Sequence, residues 1–503
     1  MRSEKCRMLY LPLDERPCNA VLPKMMACCN SQMHLITPPK TLLGNKKTPA
    51  DLEQLWDFLC QNMPQCNAAV LSAEMLLFGG LLPSRIHHLT VPQLEQRLEQ
   101  LKRLKHRFPY TKLYVFQLIM RTPRYNSSDE EPDYYEHYGE RLFRRAYLID
   151  KQQRLGLQAD EAQQLAQLQT ELPAQVIADY EQRRAVNRTM LEKMLALLAD
   201  GTVDSIFIPQ DDSCEYGYTA QDQRIINQRI AQLGLEDKVF LHPGADEAGA
   251  EMIARAYLDW SKRKPRVYCL FSHVASAKQI PLYEDRPMLT SIRQHIAACG
   301  CQECEHPKLA DFVLAVHTPY TVMKEAFEEA AIEETQPVPQ DFLQFIERCL
   351  YEGLSVALAD CAYANGGDMK LIDAIVKQDI WYRLISYKGW NTTCNTIGTS
   401  LAQALLCQGQ ENPMQVELNV LYHLLDDGLY QAKVRSQLIS KIRQNGGDIF
   451  DVGDRKEEYE RYVAKQLYQE SHRLFNNDVI SDVLTGLKAE LPWNRTFEIF
   501  LDW

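Results

Sequence analysis

The stretch DSIFIPQDDSCEYGYTAQDQR, residues 204–224, decides the fold. It opens as an apolar run, ends that run in two adjacent carboxylates, Asp211 and Asp212, and then passes into a helix signal. Thr219, with Asp222 three residues later, resembles a capping box ahead of QRIINQRIAQL, and Gly234 suits a C-terminal cap. Strand, loop and helix in that order make one β/α unit, and the two aspartates sit in its loop. An Asp-Asp pair in a turn is ordinarily a wet corner, so its meaning depends on the rest of the chain.

Working outward, nine more apolar runs carry the same punctuation. They lie at 7–14, 34–38, 68–75, 112–120, 238–244, 266–273, 311–317, 354–360 and 383–389. Several are apolar throughout, as strands covered on both faces should be. Helix starts lie between them: Thr48-Pro49 before DLEQLWDFL and Thr90 before VPQLEQRLEQLKRL each supply an N-cap, with proline tolerated in the first turn. The expectation is an α/β chain with a (β/α)8-barrel-like core, a helical-hairpin insertion at 125–200 and a mostly helical region at 410–503. The alternative is two doubly wound α/β domains, split near SKRKP at 261–265, so that 1–260 forms the first half and 261–409 the second. In both, ligands bind at the C-terminal ends of the strands.

Composition narrows the partners. Of 503 residues, 55 are basic and 67 acidic, and the resulting charge of -12 repels phosphate backbones and anionic membranes, so neither nucleic acid nor membrane is expected as a partner. The most apolar window, AAVLSAEMLLFGGLL at 68–82, contains Glu74 and is too short to span a bilayer. With no signal-peptide pattern at the start, the expected location is the cytoplasm. Fifteen irregularly spaced cysteines suit a reducing compartment. In CGCQECEH, however, Cys299, Cys301, Cys304 and His306 are candidate ligands for a structural zinc ion.

The strand ends collect polar residues. The first gives Asp14, Arg16 and Asn19, the third Glu74, the fourth Arg121, the fifth Asp211 and Asp212, and the sixth His242, Asp246 and Glu247. Later ends give His273, His317, then Asp360, Asn365 and Asp368, and finally Tyr387, Trp390 and Asn391. Carboxylates and amides bond hydroxyls and Trp390 offers a stacking face, so the expected ligand is a small neutral carbohydrate. No GxGxxG, Walker loop or GxSxG elbow accompanies the strands, and no cofactor is expected.

PLDERPCN (12–19), IPQDDSCEYG (208–217), GADE (244–247), ADCAYANGGD (359–368), GWNTTCNTIGT (389–399) and PWNRTFE (492–498) together resemble a large bacterial family known only as a domain of unknown function. The resemblance spans essentially the whole chain and implies a family without an activity. Asp211-Asp212 is also similar, over a much shorter stretch, to the tandem aspartates of some N-acetylhexosaminidase barrels. That similarity implies a division of labour in which Asp211 orients the substrate's acetamido group and Asp212 protonates the leaving oxygen, with Asp246 or Glu247 as second-choice acid or nucleophile. Glycoside hydrolysis is therefore the leading expectation. A metal-dependent hydrolase of an amide or ester, with His242, His273 and His317 as ligands, is its rival. A carbohydrate or metabolite binding protein without turnover is the third reading.

Overall fold

The computed structural model describes residues 5–326, 337–409 and 411–503. Six strands, β1 (Cys6–Leu11), β2 (Met33–Ile36), β3 (Ala68–Ser72), β4 (Lys112–Phe116), β5 (Ser205–Gln210) and β6 (Val239–Pro243), form a parallel sheet in the order β2-β1-β3-β4-β5-β6. A second parallel sheet contains β7 (Arg266–Phe271), β8 (Gln302–Glu303), β9 (Phe312–His317), β10 (Ser355–Asp360) and β11 (Ser386–Lys388), in the order β11-β10-β9-β7-β8. Numbered from its own beginning, the second sheet runs 2-1-3-4-5, and the first five strands of the first sheet do the same.

Each of the ten apolar runs contains a strand, but they do not close into the expected barrel. In a barrel each strand neighbours its successor. Here β1 lies between β2 and β3, and β6 and β2 are edges of one open sheet, β8 and β11 of the other. Apolar periodicity is the same for closed and open parallel sheets, so only the pairing separates them. The short edge strand β8 carries no apolar signal: Gln302 and Glu303 are exposed and belong to the cysteine-rich loop.

The two sheets share a core. On β9, Phe312, Leu314 and Val316 face inward toward the helices Ala248–Ser261, Met288–Cys299 and Thr393–Cys407, against which Met8 and Tyr10 of β1 also pack. The alternate residues Val313 and Ala315 face outward onto the helices Gln340–Tyr351 and Met369–Lys377 and the C-terminal helices, the period of two expected of a strand. On the outer face of the first sheet, Leu9, Leu11 and Val115 meet the helices Leu52–Asn62, Val91–Arg107 and Ala174–Ala199.

The insertion consists of three helices, Tyr135–Arg154, Ala159–Glu171 and Ala174–Ala199, where a two-helix hairpin was expected. Pro173 breaks the run before the third helix, whose Met190, Leu191, Met194 and Leu195 belong to the core of the first sheet. Beyond residue 410 the helices Pro413–His423, Arg435–Gln444 and Lys456–Phe475 flank an 11-residue π-helical stretch, Leu424–Val434. Such stretches are rare and concentrate at functional positions. An antiparallel pair, β12 (Lys488–Glu490) and β13 (Phe500–Asp502), closes the chain. Among the described residues, no helix is long and apolar enough to cross a membrane.

Candidate functional site

Strand ends of the first sheet converge on a cavity of about 250 Å³. Arg16 follows β1, Arg85 follows β3, Arg121 follows β4, Asp211 and Asp212 follow β5, and Asp246 follows β6; all six line it. This is the crevice that a doubly wound sheet opens beside its topological switch point, here between β1 and β3. Asn365 and Asn391 reach it from the second sheet, while Arg435, Arg495 and Phe497 arrive from the C-terminal region.

The charges are matched pair by pair. Arg16 bridges Asp14 at 2.8 Å, Asp246 at 2.6 Å and Glu498 at 3.1 Å. Asn19 donates to Asp14 and Asp246, each at 3.0 Å. Burial raises the carboxyls of Asp14 and Asp246 above the usual range, against the pull of the Arg16 guanidinium. Arg85 binds Asp211, and also Glu130 at 2.9 Å. Arg121 binds Glu130 at 2.7 Å, Glu131 at 2.9 Å and Asp212 at 3.4 Å. Burial opposes the ionised form of Glu130, but Arg121, Arg495 and Arg85 together hold its carboxyl well below the ordinary range.

Asp212 behaves differently. Its carboxyl is pushed up to about 6, first by desolvation and also by Asp211, against the opposing charge of Arg121. Its side chain is 33% exposed, so a ligand can reach it. It also lines a neighbouring cavity of about 330 Å³, walled by aromatic side chains that include Tyr125, Phe143, Tyr216 and Tyr218. Asp212, Tyr125 and Tyr283 are shared by both cavities. Tyr283, Asn365 and Asn391 have φ values of 68°, 55° and 65°. Left-handed backbone is tolerated by asparagine but costly for tyrosine, and such strain gathers at functional sites. Asn365 N–H bonds the carbonyl of Asn391 at 2.8 Å, which ties the two loops, and the Asn391 amide donates to Asp246 at 3.2 Å.

Other residues expected at the site lie elsewhere. Glu74 sits in the first turn of the helix Ala73–Phe78, buried, accepting the Leu118 N–H at 2.8 Å; burial pushes its carboxyl up to about 8. Trp390 is buried against Phe497, with ring centroids 5.7 Å apart. Trp390 does not line the arginine-rich cavity; its neighbour Phe497 does, together with Tyr125, Tyr283 and Phe450. Asp360, Asp368 and Tyr387 form a hydrogen-bonded group at the end of the second sheet. Glu247 is buried behind the site, lining only a narrow cleft beside Asp246.

The three strand-end histidines do not form one site. His273 and His317 line a cavity of about 110 Å³ at the end of the second sheet, where His317 bonds Asp368 at 3.0 Å and Ser272 at 3.1 Å. His242 is fully buried on β6 against His295 and Glu251. The cysteine loop is also dispersed: Cys301 donates to the Ile296 carbonyl and Cys304 to the His306 carbonyl, while Cys299 faces Glu251. Among the described residues, Cys299, Cys301, Cys304 and His306 do not gather as a metal-binding group.

Sequence reading alone does not single out Glu130, Arg435 or Arg495. PWNRTFE enters there only as part of the family resemblance, with no role for Arg495, yet Tyr430 and Gln431 of the π-helix hold the Thr496 and Phe497 carbonyls at 2.7 and 2.9 Å and present that segment to the cavity. An arginine inside an otherwise apolar closing segment is the signal that marks it.

No curated protein matches the chain. One matching solved structure is the carboxyl transferase domain from Rhizobium etli pyruvate carboxylase with 3-bromopyruvate, at 7% identity and a TM-score of 0.18. The match covers 89% of this chain and 54% of that one, so the chain spans about half the length of that structure; a likeness at this score carries no argument. A family model, by contrast, matches residues 8–502, and the chain belongs to the family described as Protein of unknown function (DUF4127).

Proposed function

We propose that the chain is a glycoside hydrolase acting on a small carbohydrate or amino sugar that carries an anionic group. The observation that carries this reading is Asp212: reachable, raised to about 6, and placed where two cavities meet. A general acid for glycoside cleavage must hold a proton near neutral pH and stand beside the leaving oxygen. With the sugar in the arginine-lined cavity and the leaving group against the tyrosines, the bond to be cut lies at the junction. Asp212 gives its proton to the glycosidic oxygen as the carbon–oxygen bond breaks, and water then adds to the anomeric carbon, returning a proton to the Asp212 carboxylate. Asp211, anchored by Arg85 and accepting the Asp212 backbone N–H at 3.1 Å, orients the substrate's acetamido or hydroxyl donors. Asp246, held by Arg16, Asn19 and Asn391, offers negative charge to the developing oxocarbenium ion.

The anionic group replaces the neutral ligand expected from the strand ends. Four of the lining arginines are paired with carboxylates, but Arg435 is not: among the described residues it bonds Gln431 at 3.2 Å and lies 5.0 Å over the Phe497 ring. A phosphate or carboxylate on the substrate supplies the missing partner. The test is a panel of aryl hexosides, hexosaminides, uronides and phosphohexosides. Turnover of an anionic member by the wild type, lost in Asp212→Asn, is expected. No turnover of any member would overturn the reading, and tight binding without turnover would leave a binding protein in its place.

A further inference from the structure

We propose that the tyrosine-walled cavity beside Asp212 is a subsite for a planar aromatic leaving group of the phenol class. The inference rests on the glycosidase reading and names what departs when the bond is cut. At about 330 Å³ the cavity falls within the range of small-molecule sites. Among its lining residues charge is confined to Arg124 and Asp212, and five aromatic rings, Tyr125, Phe143, Tyr216, Tyr218 and Tyr283, face it. Four of these rings are braced before any ligand arrives. Tyr216 stands edge-on to Tyr147 with ring centroids 5.2 Å apart, and Phe143 packs on the same tyrosine at 6.1 Å. Tyr218 packs on Tyr180 at 5.7 Å. Tyr283 is held at both ends, its carbonyl accepting the Ser213 N–H at 3.2 Å and its hydroxyl bonding Glu325. Walls fixed in this way lose little freedom when a ring slides between them.

Hydrogen bonding separates an aromatic ring from a second sugar. A sugar brings several hydroxyls, and each needs a partner once it leaves water. The cavity's own hydroxyls are already engaged. Thr122 Oγ1 accepts from the Tyr180 hydroxyl at 3.3 Å and from Arg184 at 3.2 Å, and Thr219 donates to the Met120 carbonyl at 3.2 Å. Tyr218 donates to Glu181 at 2.6 Å, Tyr216 bonds Glu215 and Tyr283 bonds Glu325. Tyr125 and Arg124 stand at the exposed mouth, where water serves them. Ser213 is the exception: it is 4% exposed, and its Oγ has no hydrogen-bond partner among the described residues. A buried hydroxyl left alone marks a place for one polar atom of a ligand. A flat ring fits that supply. Its linking oxygen lies at Asp212, one further polar atom on its edge meets Ser213, and its faces lie against the aromatic walls. A sugar in the same place would bury hydroxyls that nothing in the cavity could satisfy.

The test needs no turnover. Full-length wild-type protein is titrated by calorimetry with 4-methylumbelliferone, a flat phenol with a carbonyl on its edge, and with methyl glucoside and cyclohexanol as saturated-ring probes. One equivalent of the phenol per chain is expected, with both saturated rings bound at least roughly tenfold more weakly. Phe143→Leu keeps the wall apolar and removes its π face, so it should weaken the phenol roughly two- to tenfold. Ser213→Ala should weaken it by a similar factor. Tyr110→Ala, at a ring that is 97% exposed and remote from the cavity lining, should change nothing. No saturable binding of the phenol overturns the proposal, as does equal affinity for cyclohexanol or an unchanged affinity in both Phe143→Leu and Ser213→Ala. Should those variants fail to fold, the wild-type preference for the flat ring decides. Turnover of an alkyl glycoside without binding of the phenol overturns this subsite alone and leaves the hydrolase standing. Binding of the phenol without turnover of any glycoside keeps the aromatic site and overturns the hydrolase.

Discussion

The C-terminal ends of the two sheets invite comparison, because the same strand order delivers acidic and aromatic side chains to both. At the first, Asp212 is exposed to two cavities and Arg435 lacks an acidic partner among the described residues. At the second, Asp360 is buried, its Oδ2 accepting the Asp368 N–H at 2.7 Å and the Tyr387 hydroxyl at 3.0 Å, while Asp368 bonds His317. Glycines seal this end: a Cβ on Gly367 would stand 2.3 Å from the Tyr387 hydroxyl. The smaller cavity there is lined by His317 and Asp368, which already satisfy each other. One end keeps polar groups for a ligand and the other spends them on itself, so topology locates a candidate crevice without deciding whether it binds anything.

The sharpest way to break the comparison is one kind of substitution at both ends. Asp212→Asn should lower kcat by roughly 10²- to 10⁴-fold, the range for removing a general acid, with little change in melting temperature. Asp360→Asn should leave activity per folded molecule intact. The pH profile sharpens this further. The protonated Asp212 carboxyl is the active form, so kcat/KM should fall as pH rises through about 6, and that limb should vanish in Asp212→Asn. A rate independent of pH between 5 and 8 would remove Asp212 from the acid role. Next in size, Arg435→Gln should raise KM for an anionic substrate roughly 10- to 100-fold, the worth of a charge-assisted bond, while a neutral analogue is unaffected. An equal loss for both substrates would deny Arg435 contact with the anion.

Much of this was legible in the residues, for physical reasons. Each apolar run holds a strand, because a strand covered on both faces has no other composition available. Asp14, Arg16, Asn19, Arg121, Asp211, Asp212 and Asp246 meet because a parallel sheet delivers all its strand ends to one side, and Asn391 joins them from the second sheet. Trp390 was misplaced at the cavity because its packing on Phe497, more than 100 residues away in the chain, decides that it stays buried. His295 carries no motif in the helix MLTSIRQHIAAC, and only the packing of that helix on β6 brings it to His242.

At the second end the effects are on stability. Asp360→Asn replaces an oxygen that accepts two hydrogen bonds and should cost about 1–3 kcal/mol, measured by chemical denaturation. Desolvation raises the Asp360 carboxyl to about 6 from its ordinary 3.8, ahead of the opposing His317 and the reinforcing Asp368. A raised folded-state value means stability that is fully present below 3.8 and declines as pH rises through about 6. Asparagine does not titrate, so the gap between wild type and Asp360→Asn should narrow across that window. A constant gap would mean that Asp360 keeps one protonation state throughout.

The smallest effect isolates the seal itself. Tyr387→Phe removes one of the two donors to Asp360 Oδ2 and leaves the Asp368 N–H, so it should cost about 1 kcal/mol with no change in kcat or KM. In the Asp360→Asn background the same change should cost less, because the charge that strengthens the tyrosine bond is already gone. Equal costs in both backgrounds would show that the hydroxyl does not act through Asp360. A change in KM for Tyr387→Phe would mean that the second end also touches the ligand, and the contrast between an open and a self-satisfied strand end would fail.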